Sequence, residues 1–240
     1  MSKEDLTFKA CDRMVRDFED VIKKPVREPS SVYYTGVDLG TACVVLAVLD
    51  EHLRPVAGTF RYADVVRDGM VVDYIGAIRI VREMKEELEE KLGSQLIYAA
   101  AAIPPGTDAL DSGAIKNVVQ GAGFEITALP DEPTAANAVL NIRNGAVVDI
   151  GGGTTGISVL KDGKVVYVAD EPTGGTHFSL VIAGAYKMSF ADAEIYKRDK
   201  KNHKELLPVL KPVIEKVSSI NSRHIEGREV DGIYLVGGTC

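Results

Sequence analysis

Residues 147–160 read VVDIGGGTTGISVL. Two runs rich in β-branched residues flank three consecutive glycines, Gly151, Gly152 and Gly153, so the stretch predicts strand, tight turn, strand. Glycine tolerates positive φ and carries no Cβ, which lets successive backbone N–H groups converge on an anion such as phosphate. Asp149 stands at the end of the first strand, where a bare carboxylate is costly unless solvated or paired with a cation. Hydrated Mg²⁺ meets that need, because it binds through one or two carboxylates together with substrate phosphates.

The same order occurs earlier in the chain. Val37-Asp38-Leu39-Gly40-Thr41 repeats strand, acid, apolar residue, glycine and a threonine-bearing turn into a second strand. Taken singly, a DxGT or a GGG is equally an ordinary β-turn, and it is the order, spacing and strand context that carry weight. Two such halves facing each other would form a cleft lined by both turns.

Working outward, Cys11, Met14, Val15, Phe18, Val21 and Ile22 recur at helical spacing, and residues 23–31, with Pro25 and Pro29, form a linker or extended edge. Strands are expected over 32–50, broken at Gly40, and near 56–61, with an Asp68-Gly69 turn after them. Ile75, Ile78, Val81, Met84, Leu88 and Leu92 line a long helix that ends at Gly93. The apolar run 96–103 reads as a strand buried on both faces, followed by a helix over 108–121, a strand over 124–129 and a helix opened by Pro133. Beyond the glycine turn, Asp162-Gly163 makes a hairpin into residues 164–170, and Gly174-Gly175 precede helical segments through Arg198. Residues 204–224 carry an apolar helical stripe, although Pro208 and Pro212 imply a kink or a late start, and 232–240 is a strand running into Gly237-Gly238. Alternating strands and helices of this kind mean an α/β sheet with covered faces.

Composition narrows the function classes. A net charge of −7 argues against a broad nucleic-acid surface. No run is long and apolar enough to cross a bilayer, and the start MSKEDLTFKACDR lacks the apolar core of a secretory signal, so a cytoplasmic protein without a membrane span is expected. Cys11, Cys43 and Cys240 are widely spaced, which favours inert thiols over a disulfide or zinc framework. Neither GxSxG nor HExxH is present.

The residues at 37–48 (VDLGTACVVLAV), 147–160 and 231–239 (DGIYLVGGT) resemble the two phosphate motifs and the adenosine motif of the actin/Hsp70/sugar-kinase superfamily. Residues 100–140, from AAAIPPGTDALDSG to DEPTAANAVL, are similar to the segment that joins the first two motifs in Hsp70-like nucleotide-binding domains. A narrower resemblance, carried by residues 25–50, 66–85 and 174–199, is to an Hsp70-like family of ethanolamine utilisation encoded with bacterial microcompartment genes. The resemblance implies a two-lobed actin/Hsp70-like ATPase fold with duplicated ribonuclease-H-like mixed sheets flanked by helices. It divides the chain into an N-terminal helix and linker (1–33), a first lobe (34–143) and a second lobe (144–240) with a helical insertion at about 172–215.

By the same resemblance, ATP or ADP with Mg²⁺ binds in the cleft. Gly40, Thr41 and Ala42 meet the phosphates from one lobe, and Gly151, Gly152, Gly153 and Thr154 from the other. Asp38 and Asp149 organise the hydrated metal, Glu132 orients the attacking water, and Asp149 shares in the chemistry. Gly174 and Gly175 lie near phosphate and ribose, Glu194 and Lys197 bracket the adenosine, and Gly237 and Gly238 lie against it. Two departures imply slow hydrolysis at most: Gly156 occupies the place of a second aspartate, and residues 50–69 offer no counterpart of the γ-phosphate lysine. The implied role is a chaperone or an assembly and reactivation factor acting on a protein client or microcompartment-associated partner. An actin-like scaffold controlled by nucleotide and a small-molecule kinase are the alternatives. The resemblance also implies at least one helix beyond Cys240.

Several of these residues have plainer readings. Glu132 suits a helix start, and Glu194 with Lys197 suits a solvated i, i+3 pair. His177 reads as a surface or capping residue, Cys43 as packing, and residues 197–204 (KRDKKNHK) as a solvated loop.

Overall fold

The computed structural model describes residues 3–26, 30–67, 69–107 and 109–239, with backbone alone for 3–8 and 109. The chain divides into two compact units, Met1–Ile142 and Arg143–Cys240.

The first unit opens with α1 (Lys3–Lys23) and continues through β1 (Tyr34–Leu39), β2 (Cys43–Leu49) and β3 (Pro55–Tyr62). Phe18 and Ile22 of α1 lie over Gly58 of β3, so closely that a Cβ there would sit 2.5 Å from the Phe18 ring. Val15, expected in the same apolar stripe, is instead 55% exposed. A two-residue hairpin, β4 (Val66–Arg67) and β5 (Met70–Val71), turns at Gly69 with φ +77°. Asp68 of the expected turn lies outside the described residues, as do Pro29, Asp108 and Cys240.

The helix α2 (Tyr74–Leu92) starts where Asp73 accepts from the Gly76 N–H and stops at Gly93, whose φ of +67° closes it in the left-handed conformation. Its buried face is Ala77, Val81, Met84 and Leu88, while Ile75 in the first turn points to solvent. The remaining elements are β6 (Tyr98–Ala101), α3 (Ala109–Gly121), β7 (Glu125–Ala128) and α4 (Glu132–Leu140). The sheet order is β3-β2-β1-β6-β7, with antiparallel hairpins on one side of β1 and parallel crossovers on the other. Strand β6 is shorter than the apolar run suggested and within it only Ala99 and Ala101 are fully buried; beyond it the Ala102 N–H still bonds Val37 O at 3.1 Å and Ile103 bridges Asp131 in parallel. Val44, Leu46 and Val48 of β2 pack in one core with Val81, Met84 and Leu88, each such side chain contributing about 1.5–3 kcal/mol of burial.

The second unit repeats the scheme: β8 (Gly145–Ile150), β9 (Thr155–Lys161) and β10 (Lys164–Glu171) form antiparallel hairpins, and β11 (Ile233–Val236) joins β8 in parallel. Asp162 and Gly163, both at positive φ, make the predicted hairpin turn. Between β10 and β11 lie α5 (Gly175–Tyr186), α6 (Phe190–Arg198), a 3₁₀ turn (Lys200–Asn202) and α7 (His203–Ile225). Residues 197–204 are therefore not a loop but a helix–turn–helix junction, which Asp199 builds by capping the 3₁₀ turn.

Helix α7 does not start late. It begins before both prolines and runs through them. Pro208 and Pro212 share one exposed face, so the carbonyls of Lys204 and Pro208 that lose a donor remain open to water. Leu206, Leu210, Val217 and Ile220 hold the opposite face in place. No described helix is long and apolar enough to cross a membrane.

Candidate functional site

In the second unit the glycine turn between β8 and β9 is where four chain segments meet. The Gly151 N–H closes the turn on the Thr154 carbonyl at 3.0 Å. The carbonyls of the turn face the other way and are used up: Gly151 O accepts from Gly175 N at 2.9 Å and Gly152 O from Thr176 N at 2.8 Å. Thr239 adds a third tie, donating through its N–H to Ile150 O at 3.1 Å and through Oγ1 to Gly151 O at 2.9 Å. With the carbonyls committed, the amides of Gly152, Gly153 and Thr154 donate to no described residue.

Two glycines are required by these approaches. A Cβ at Gly174 would lie 2.7 Å from Gly151 O and 2.8 Å from Gly152 O. At Gly237, where φ is +98°, a Cβ would lie 2.4 Å from Asp149 Oδ1 and 2.5 Å from Ile150 O. The end of β11 is thus laid directly over the Asp149 carboxylate; Gly238 follows it on the exposed side. Burial pushes the Asp149 carboxyl above its ordinary value, and no described donor or cation offsets that.

Behind the turn, Lys197 and Glu194 form the predicted pair at 2.7 Å. The Lys197 ammonium spends its three donors on Glu194 Oε1, Ser179 Oγ (2.7 Å) and Gly175 O (2.9 Å). Glu194 accepts in addition from Ser179 Oγ and from Arg198 at 2.9 Å. Burial alone would raise the Glu194 carboxyl, but hydrogen bonds from Lys197 and Ser179 and the charges of Lys197 and Arg198 outweigh it and hold it below its usual range. The pair is therefore no loose surface bridge: it fixes α6 to the first turn of α5, immediately beside the glycine turn. His177 takes the capping reading, its Nδ1 lying 3.4 Å from the Gly174 N–H.

In the first unit, Asp38 is the penultimate residue of β1, as Asp149 is of β8, and is exposed. Gly40, Thr41 and Ala42 make the following turn, where a Cβ at Gly40 would come within 3.0 Å of Cys43 O. Glu132 opens α4, half-buried, its N–H bonded to Ile103 O at 2.9 Å. The cap of that helix is Asp131, which accepts from Thr134 N at 2.8 Å, so the helix does not depend on the Glu132 side chain for its start.

Sequence reading missed four residues that hold the site: Ser179, Thr239, and the buried pair Thr155 and Thr173, joined by Thr155 Oγ1 to Thr173 O at 2.6 Å. The threonines had a signal, since each stands beside a glycine group already singled out. Ser179 had none, because its role depends on how α5 meets α6. A second missed arrangement lies along β10, toward the end beside the glycine turn. His224 bridges the Tyr167 hydroxyl (2.7 Å) and Glu171 Oε1 (2.6 Å), while the Arg228 guanidinium stacks 3.6 Å over the Tyr167 ring. This clamp ties α7 to β10, whose Glu171 pairs in register with Thr155 at the start of the strand that leaves the glycine turn.

A three-stranded antiparallel meander extended by parallel crossover strands, repeated in both units with an acid before each turn, defines the actin/Hsp70 class of ATPase folds. The family model described as MreB/Mbl protein matches residues 55–232. The ethanolamine utilization protein EutJ of Salmonella typhimurium is 49% identical over 86% of this chain and 72% of its own length. The crystal structure of EutJ from Carboxydothermus hydrogenoformans superposes with a TM-score of 0.90 at 50% identity, over 95% of this chain and 85% of that one. MreB 5 of Spiroplasma citri bound to AMPPNP shares the fold, with a TM-score of 0.71 at 18% identity over 88% of this chain and 86% of that one. The chain belongs to the EutJ family of ethanolamine utilization proteins.

Proposed function

We propose that the chain binds ATP or ADP with Mg²⁺ and signals the bound state to a protein partner in ethanolamine utilisation. The observation that carries this reading is the Asp149 carboxylate, desolvated and unpartnered at the foot of a glycine turn whose amides are free among the described residues. A triphosphate would satisfy the amides of Gly152, Gly153 and Thr154, and a hydrated cation would satisfy Asp149. No described group of three or more His, Cys, Asp or Glu converges as a metal site, which suits a cation held by water, phosphate oxygens and a single carboxylate from this unit. The likeness of fold to MreB 5 bound to AMPPNP supports the nucleotide class.

Mg²⁺ when bound would screen phosphate charge; the remaining work falls to the chain. By the superfamily resemblance, Gly40, Thr41, Ala42 and Asp38 of the first unit would be phosphate and metal contacts, and Glu132 would orient water. Lys197 and Glu194 hold α5 and α6 together beside the turn, Gly174, Gly175 and Gly237 let the neighbouring segments pack closely against it, and Gly238, with nothing within 4 Å of its Cβ position, would leave room on the adenosine side. Turnover would be slow at most, since Gly156, opposite Asp149 in the β8–β9 register, brings no second carboxylate. The output is a change of state read by a client or microcompartment-associated protein, as a chaperone or assembly factor would deliver it.

Calorimetric titration of Mg-ATP into the wild type and Asp149→Ala tests the reading. Loss of the Mg²⁺-dependent part of the affinity is expected in the variant; equal binding would remove the role given to Asp149.

A further inference from the structure

The first unit carries a second feature, away from its turn at Gly40, that the nucleotide reading does not use. A depression of about 630 Å³ lies between the C-terminal half of α1 and the β2–β3 turn, within the range of about 300–1,000 Å³ usual for binding clefts. Met14 and Val21 of α1, with Val26 and Val56, give it an apolar part of its lining. We propose that it docks a cationic, amphipathic peptide segment of a protein partner.

The turn that forms one wall is preorganised. Asp50, buried, accepts from the backbone N–H groups of His52 and Arg54 at 2.9 Å each and from the Arg54 guanidinium at 2.8 and 2.7 Å. Glu51 bonds the Ser31 N–H at 2.6 Å and the hydroxyls of Ser30 and Ser31, which ties the turn to the segment leading into β1. Leu53 occupies the left-handed position of this turn, with φ +58°, where glycine or asparagine is the usual residue. The strain is not repaid by burial, since Leu53 is 58% exposed. A rigid turn that holds a branched apolar side chain in a strained conformation, and displays it to solvent at the mouth of an apolar depression, has the character of a contact residue.

Charge selects the occupant. Arg54 neutralises Asp50, and Glu51 is held by Ser30 and Ser31 with His52 3.6 Å away, but Asp17 and Asp20, one helical turn apart on α1, have no cationic partner among the described residues. An apolar lining beside two unpaired carboxylates complements apolar side chains flanked by lysine or arginine, and repels an acidic segment.

The test uses the full chain and two fluorescein-labelled helical peptides of about four turns. One carries leucine and lysine in an amphipathic pattern, the other glutamate in place of every lysine, and binding is read by anisotropy at physiological ionic strength. The lysine peptide is expected to bind and the glutamate peptide not to. Asp17→Asn with Asp20→Asn, and separately Leu53→Gly, should each weaken binding about tenfold or more. Leu53→Gly should do so with no fall in melting temperature, because it relieves the strained φ. Glu86→Gln with Glu90→Gln, exposed carboxylates on α2, controls for the general attraction of an acidic protein and should leave binding unchanged. Wild-type affinity in either depression variant, equal loss in the α2 control, or equal binding of the glutamate peptide would overturn the proposal.

Discussion

Replacing Gly237 by alanine tests whether the β11 end loop is seated on the phosphate turn as the structure describes. Two penalties add at this position. The φ of +98° costs an L-residue about 1–2 kcal/mol. The new methyl would also sit 2.5 Å from Ile150 O and 2.8 Å from Ile150 C, backbone atoms of β8 that cannot swing aside as a flexible side chain could, an overpacking cost of about 1–3 kcal/mol. The sum is about 2–5 kcal/mol. Gly227→Ala supplies the reference, because Gly227 also has positive φ (+74°) but nothing within 4 Å of its Cβ position. That variant should lose only the conformational part, about 1–2 kcal/mol, partly offset by a stiffer unfolded chain. Urea unfolding of both proteins isolates the overlap as the difference. The Mg-ATP-induced rise in melting temperature should survive in Gly227→Ala and vanish in Gly237→Ala, since the displaced loop no longer covers Asp149. Equal destabilisation by the two substitutions, together with an intact ligand shift in Gly237→Ala, would refute the packing argument.

The other expectations follow from the same geometry. Asp149→Asn should raise the melting temperature of the ligand-free protein, because it removes a desolvated and unpaired charge, yet weaken Mg-nucleotide binding about 10- to 100-fold, the equivalent of about 1.5–3 kcal/mol of charge-assisted contact. Because burial raises this carboxyl, the wild-type Mg²⁺-dependent affinity should begin to fall, as pH is lowered, at a higher pH than an ordinary aspartate would dictate, and calorimetry across a pH series reads that directly. Glu194 has the opposite sign: its lowered carboxyl contributes stability that is complete above the ordinary glutamate value of about 4.3 and is lost as pH falls through the lower folded value. Glu194→Gln should therefore flatten the acid limb of the unfolding curve. His224→Ala should cost about 1–3 kcal/mol, since it leaves the Tyr167 hydroxyl and Glu171 without their shared partner. In a double-mutant cycle with Tyr167→Phe, the coupling energy should exceed about 0.5 kcal/mol, and additive effects would dissolve the clamp.

What the sequence disclosed was set by whether the signal is local. The Asp162-Gly163 turn, the Gly93 helix stop and the Asp-x-Gly endings of β1 and β8 are decided within a few residues, and all are legible. The start of α7 ahead of both prolines is not, because propensity at Pro208 and Pro212 opposes it and the packing of Leu206, Leu210, Val217 and Ile220 on the other face overcomes that preference. The run 197–204 misled for a related reason: its charges look like a solvated loop, while Asp199 and the neighbouring helices turn it into a junction. Glu194 and Lys197 were legible as a pair, but the third member, Ser179, belongs to a different helix and meets them only through the α5–α6 contact.

The two acids show how far a sequence echo reaches. Asp38 and Asp149 sit at the same step of the same hairpin, opposite Val45 and Gly156 respectively, and backbone pattern alone makes them equivalent. Their surroundings differ. Asp38 is exposed, whereas Asp149 is covered by the chain leaving β11, where Gly237 allows the backbone to pass within contact of its carboxylate. The glycine about ninety positions away therefore helps set the ionisation of an aspartate it does not adjoin in sequence. A repeated motif fixes where a carboxylate is placed, and the long-range packing above it decides whether that carboxylate stays open to water or is left to await a cation. If that division holds, Asp149→Asn should raise the ligand-free melting temperature of the wild type but not of Gly237→Ala, where the covering chain is displaced. Equal effects in the two backgrounds would mean that burial by the β11 end has no part in the raised carboxyl.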